Sequence, residues 1–345
     1  MLMTTLIVLL VFVIIFAVIA GIDIYKSKKR KEQYRKSSII TSFLMLLPAS
    51  LLAFIFVLLP IIYSLGYAFT DFYLLRPNDI NFIGFQNFET IFKELTSHGE
   101  IFYALRNTAL FVVLVVPLQI GLALGLALFC NRKVPGAGIF KVCFFAPVVI
   151  SLTVTSYLWL QILSPSNTGL LNSFLNLFGV EAKDFLRDEN TAMLWIVLLS
   201  AWQGCGYQML IFLSTLGNIQ KDLYEAAALD GANSFKRFLH ITIPGLKPTF
   251  LYVLITVFIG ACRVMVQPML MTGYQTHTLT LSYYMYKLGY SQRWIGLSSA
   301  VALIMTIIIG SITLLQRKFL GEKNYEHSCW RRNRINRRSS SRKHC

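Results

Sequence analysis

Seven apolar stretches dominate the chain, at about residues 2–22, 39–69, 107–130, 139–163, 191–214, 249–272 and 295–316. Each reaches or exceeds the roughly 20 residues that a helix needs to cross the hydrocarbon of a bilayer. Composition agrees. The 345 residues are 55% hydrophobic and 14% charged, whereas a soluble domain carries about 25% charged residues. A lipid-exposed segment must satisfy its own backbone polar groups, so each stretch is expected to be helical. The expected fold is all-α and integral to the membrane. A six-helix core is joined by an additional N-terminal transmembrane helix. Residues 1–38 are expected to form a membrane anchor and basic cytoplasmic linker, 39–316 the six-span domain, and 317–345 a basic cytoplasmic tail. Pro48 and Pro60 predict a kink or an interfacial end in the second stretch.

The net charge is +16. In a soluble protein that excess would suggest nucleic acid. Here the cations lie between and after the apolar stretches. With residues 23–38 placed inside, 24 of the 32 Lys and Arg residues fall on that side and 7 on the other, with Arg263 left within a span. The positive-inside rule then puts the N-terminus outside and the C-terminus in the cytoplasm of a multi-pass cell-membrane protein. The first stretch has no basic residue before it, and the cluster from Lys26 to Lys31 follows it. That order predicts an uncleaved anchor, with a cleaved signal peptide as the alternative. The tail from Arg331 to Lys343 suits anionic lipid headgroups. It offers no aromatic platform beyond Trp330, so no nucleic-acid partner is expected.

The six spans after the anchor hold no Asp or Glu, which argues against a buried proton relay. Sodium coupling through backbone oxygens stays open. The chain has no phosphate-binding loop and no zinc-protease motif, and its five histidines are dispersed. Six scattered cysteines form no C-x-x-C pair. No catalytic residue, metal ligand or cofactor is therefore expected, and the chain is read as a transport component without its own ATPase site. A secondary transporter or channel uncoupled from an ATPase is the alternative. Otherwise the energy for transport enters from another protein.

The connection after the fifth span offers a place for that entry. Residues 223–229 are a strong helix former. Asp222 can cap or charge its start, and Gly231 can end it in a left-handed conformation. Residues 233–243 predict a second amphipathic helix, with Pro244 stopping it before the next span. A short helix of small residues fits a groove on another protein. A hairpin lying on the membrane surface is the competing reading.

Glu225-Ala226-Ala227, Gly231, Ile241 and Pro244 resemble, in type and spacing, the E-A-A-x3-G-x9-I-x-L-P motif of permease subunits from binding-protein-dependent ABC importers. Ile243 replaces the usual Leu. Further similarity to the carbohydrate branch of these permeases lies in Pro60 to Ser64, Gly84-Phe85-Gln86-Asn87-Phe88, Arg106-Asn107-Thr108, Gly169-Leu170-Leu171-Asn172 and Trp202-Gln203-Gly204. It spans roughly residues 43–316. Thr272-Gly273-Tyr274-Gln275 departs from a Gly-Gly-Pro run common in that branch. The resemblance implies that Glu225, Ala226, Ala227, Gly231, Ile241 and Pro244 couple the chain to a separate ATP-binding cassette subunit. It also implies a second permease subunit, an extracytoplasmic solute-binding protein and a carbohydrate substrate.

Two residues are candidates for the solute pathway. Arg263 is the single charge within a span apart from Lys141 at the cytoplasmic edge of the fourth, and Gln267, four residues on, would share its helix face. Snorkelling of Arg263 to the outer interface is the alternative. Gln119, Gln203 and Gln208 are as well suited to bonding neighbouring helices as to binding solute. Tyr157, Trp159 and Trp202 fit packing or an interfacial belt better than a sugar platform.

Overall fold

The computed structural model describes residues 36–131, 136–166 and 169–320. The expected N-terminal anchor and most of the basic linker and tail lie outside these residues. Among the described residues there is no strand, only isolated bridges such as Thr70 with Phe82. The helices are α1 (Lys36–Ala53), α2 (Leu59–Tyr67), α3 (Gln86–Thr96), α4 (Glu100–Cys130), α5 (Ala137–Val149), α6 (Leu152–Ile162) and α7 (Leu170–Asn176). They continue with α8 (Ala192–Asn218), α9 (Lys221–Leu229), α10 (Ser234–Arg237), α11 (Ile243–Cys262), α12 (Val266–Met271), α13 (Leu281–Tyr286) and α14 (Ile295–Leu320). Among the described residues, five helical stretches are long and apolar enough to cross a membrane: Leu44–Tyr67, Glu100–Cys130, Ala192–Asn218, Ser234–Met271 and Ile295–Phe319.

The fourth apolar stretch departs from the expected single helix. α5 and α6 meet at a bend of 101°. Ile150 and Ser151 are extended there, with ψ of 136° and 137°. Pro147 removes one backbone donor just before the bend. At the bend itself the Ile150 carbonyl accepts from the side chain of Gln203, whose Nε2 donates over 3.2 Å.

Pro244 also acts differently from expectation, and Pro60 stands in a similar local structure. Neither ends its helix. Each follows a widened π turn, Phe54–Leu58 before Pro60 and Phe238–Thr242 before Pro244. Leu59 N–H bonds to Phe54 O, and Ile243 N–H bonds to Phe238 O. The proline ring conflicts with the carbonyl four residues back. Shifting the ladder to five-residue spacing moves that carbonyl out of register. The second amphipathic helix therefore runs directly into the next span.

The chain forms two compact units, Met1–Asn87 with Arg293–Ala300, and Phe88–Gln292 with Val301–Cys345. In the first, Asn87 Nδ2 donates to the carbonyls of Ala68 and Thr70, both at 2.9 Å. Leu74 N–H donates to Arg293 O, and the Tyr73 and Trp294 rings lie 4.8 Å apart. In the second, α4 and α8 form the most extensive helix pair. One buried layer holds Phe111, Val115, Ile196 and Leu199. Another holds Ala123, Ala127, Met209, Phe212, Leu246 and Val253. Small residues let these backbones approach, as packing in lipid requires.

Gly206 brings α8 close against α5, since a Cβ there would overlap the Phe144 carbonyl oxygen. Gly206→Val is expected to destabilise the fold by about 1–3 kcal/mol or more. Thermal unfolding of the detergent-solubilised protein reads this as a lowered midpoint. An unchanged midpoint would contradict the packing described.

Candidate functional site

Backbone geometry at the end of α11 builds the first candidate site. The helix stops at Cys262, Arg263 occupies its C-terminal cap, and α12 begins at Val266. This break overturns the expectation that Arg263 and Gln267 share one continuous helix face. Two carbonyls freed by the break find hydroxyl donors. Thr280 Oγ1 donates to Val264 O at 2.6 Å, and Ser282 Oγ to Cys262 O at 3.3 Å. Irregular backbone at membrane depth is tolerated under that kind of repair. Gly273, with φ of 65°, ends α12 where the departure from the Gly-Gly-Pro run lies.

A cavity of about 260 Å³ lies beside the break, and both Arg263 and Gln267 line it. Gln119, Ser200, Gln208 and Thr256 supply further polar groups. Gln119 Nε2 donates to Gln208 Oε1 at 3.1 Å, and Gln267 Nε2 to Ser200 Oγ at 3.3 Å. These pairs bridge helices and face the cavity, so the two roles weighed for Gln119 and Gln208 coincide in space. Gln203 does not line the cavity and serves the α5–α6 bend. Arg263 is exposed in the isolated chain and makes no ion pair among the described residues. It is the one charged side chain of the lining. A guanidinium with amides and hydroxyls in an otherwise apolar wall can donate to several oxygens of a polyhydroxylated or anionic solute. Trp159 packs between Trp195 and Trp202, at centroid distances of 6.4 and 6.0 Å.

A larger cavity, about 820 Å³, lies toward the starts of α4 and α8. Arg106, Asn107, Glu189, Asn190, Thr276 and His277 contribute its polar wall. Asn107 is itself buried and donates to the carbonyls of Thr276 at 2.7 Å and Leu279 at 3.0 Å. Sequence reasoning assigned this residue no role beyond resemblance. An asparagine two turns into a helix, far in sequence from the loop it fastens, gives no local signal.

The second candidate site is the connection after α8. α9 starts at Lys221, two residues before the expected strong helix former. Gln220 is its N-cap residue, and Asp222 lies in its first turn without a capping hydrogen bond. Gly231 adopts φ of 75°. Its N–H bonds to Ala228 O at 3.1 Å, and Ala232 N–H bonds to Ala227 O at 2.9 Å. This paired closure ends α9. Asn233 then caps α10, its Oδ1 accepting from Lys236 N–H at 2.8 Å. Glu225, Ala226, Gly231 and Pro244 are exposed, while Ala227 and Ile241 are half-buried. Apolar side chains stand free beside them, with Leu229 91% and Phe235 66% exposed.

Residues 110–321 match the family of binding-protein-dependent transport system inner membrane components. The chain belongs to this family. The arabinooligosaccharides transport system permease protein AraP of Bacillus subtilis is 32% identical over 87% of this chain and 91% of its own length. The lactose transport system permease protein LacF of Rhizobium radiobacter is 32% identical over 80% of this chain and 93% of its own. A solved bacterial ABC transporter involved in import of the acidic polysaccharide alginate includes a chain with a TM-score of 0.72 at 23% identity. The match covers 88% of this chain and 99% of that one, a likeness of fold. This permease is thus a multi-pass inner-membrane transport component.

In this permease the left-handed Gly231 is the most restrictive position of the α9 connection. Gly231→Val forces a β-branched side chain into that conformation, at a cost of roughly 1–2 kcal/mol. Amide hydrogen exchange at Ala232 is expected to quicken by about tenfold. Unchanged exchange would contradict the assigned closure.

Proposed function

We propose that this permease carries an oligosaccharide or related sugar across the cell membrane. The cavity beside Arg263 forms part of the pathway, and the connection from Glu225 to Pro244 receives the work of a separate ATP-binding cassette subunit. The observation that carries the reading is the polar cavity at a repaired helix break, in a member of a binding-protein-dependent transport family. The relatives' names, with arabinooligosaccharides and lactose as cargo, support a sugar. A second permease subunit and an extracytoplasmic solute-binding protein complete the proposed assembly. A related complex of that transporter type includes a periplasmic protein loaded with alginate pentasaccharide.

In this reading residues 39–316 form the permease domain, preceded by an anchor and linker and followed by a basic cytoplasmic tail. The C-terminus and the Glu225–Pro244 connection face the cytoplasm, and the N-terminus lies outside. The bias of Lys and Arg supports that orientation. The chain performs no chemistry itself. Glu225, Ala226, Ala227 and Gly231 present a helix with small side chains, with Ile241 and Pro244 at the entry to the next span. The exposed Leu229 and Phe235 supply apolar area for a partner to bury.

Arg263 would donate to solute oxygens within the cavity, with Gln267 beside it. Loss of a charged hydrogen bond costs about 1.5–3 kcal/mol, so Arg263→Ala is expected to lower uptake by about tenfold or more. Uptake of labelled oligosaccharide into proteoliposomes holding the assembled transporter measures this. Unchanged uptake by Arg263→Ala and Gln267→Leu would remove both residues from the pathway.

A further inference from the structure

A helix that receives force from a partner is useful only if it cannot rotate freely against the span it drives. α9 is joined to its neighbours by two short backbone connections, Ile219–Gln220 before it and residues 230–233 after it. Both are sites where the chain leaves helical geometry. Ile219 and Gln220 have ψ of 128° and 126°, and Gly231 has φ of 75°. Backbone alone would let α9 pivot about these two points.

One side-chain bond closes that freedom. The hydroxyl of Tyr224, the residue before Glu225, lies 2.9 Å from Thr242 Oγ1. Thr242 is 5% exposed and is the last residue of the π turn that leads into α11. Tyr224 is half-buried. Helical hydroxyls in this chain commonly bond a carbonyl one turn back, as Thr108, Thr155, Ser156 and Ser200 do. Thr242 bonds across to a different helix instead. Water is largely excluded at its buried end, which strengthens the bond and raises the cost of leaving it unmade.

Neighbouring contacts extend the clamp. Thr215 Oγ1 and Thr249 Oγ1 lie 2.8 Å apart and join α8 to α11. A Cβ at Gly245 would come within 2.9 Å of Ile219 Cδ1, so the start of α11 is seated on the residue that leads into α9. Leu246 is buried in the same layer as Phe212 and Leu216. α8 and α11 both line the cavity further along, through Ser200 and Gln208 on one and Thr256 and Gly260 on the other. By helical rise, Thr242 and Arg263 are about 30 Å apart along one rod.

We propose that Tyr224 and Thr242 are positioning residues that lock the coupling helix to the span it drives. A displacement of α9 then reaches the cavity through α11 and α8 instead of being absorbed by rotation of α9. This inference rests on the coupling role proposed above for the connection from Glu225 to Pro244. The residues touch neither solute nor nucleotide.

The test uses the complete transporter in proteoliposomes, with its ATPase subunits, second permease and solute-binding protein. It reads solute transported per ATP hydrolysed, together with the amount of ATPase subunit that co-purifies. Tyr224→Phe and Thr242→Val each remove one hydroxyl from the pair. Each is expected to lower the transport-to-hydrolysis ratio about threefold or more while the ATPase subunit stays bound at the unaltered level. Thr242→Ser keeps the hydroxyl and is expected to preserve the ratio. The double variant is expected to be no worse than the more affected single one. An unchanged ratio in Tyr224→Phe and Thr242→Val, with Gly231→Val abolishing it, would overturn the clamp and leave the coupling role standing. An unchanged ratio in Gly231→Val as well would overturn the coupling role and the clamp with it. Loss of the ATPase subunit from the Tyr224→Phe complex would also overturn the clamp, because the bond would then build the docking surface.

Discussion

In hydrocarbon a backbone carbonyl or amide has no water to turn to, and every departure from a regular helix must be repaired from within the protein. That constraint organises this structure. The α5–α6 bend leaves the Ile150 carbonyl to Gln203. The break after Cys262 leaves carbonyls to Thr280 and Ser282. Two prolines inside spans are accommodated by π turns that change the hydrogen-bond spacing. Repair of the second break creates a polar cavity in an apolar domain, because the backbone opens where Arg263 and Gln267 stand.

The same logic explains residues whose resemblance to sugar permeases had no evident physical cause. Asn87 holds two carbonyls of the loop after α2. Asn107 holds two carbonyls of the loop before α13. Asn172 donates to the carbonyls of Ser164 and Lys183 and accepts from Lys183 N–H. Each amide fastens irregular backbone to a helix. Their shared work is structural, and only Asn107 also lines a cavity.

Much of the architecture was legible from apolar length alone. Of the stretches predicted from residue 39 onward, those at 107–130, 191–214 and 295–316 each correspond to one long helix with displaced ends. The helical end at Gly231 was legible because only a residue without Cβ takes that conformation cheaply. The bend at Ile150 was not, because residues 139–163 read as one continuous apolar run. Pro147 and Ser151 were the available signals, and apolar length outweighed them. Pro244 misled for a related reason. A proline predicts a lost hydrogen bond, and it does not reveal whether the helix stops or widens. The break at Arg263 depends on Thr280 and Ser282, which lie beyond any local pattern. Arg263 and Gln267 meet at one cavity although the continuous helix used to pair them is absent.

In the proposed function this permease is a passive mechanical element. It would shape a polar route, repair the backbone that the route disrupts, and take its motion from a partner at α9. The most direct measurement is ATP hydrolysis and solute uptake by the reconstituted transporter, with and without its solute-binding protein loaded with an oligosaccharide. The account predicts that the loaded protein stimulates hydrolysis and that uptake stops when the ATPase subunit is omitted. Uptake that continues without the ATPase subunit would contradict it.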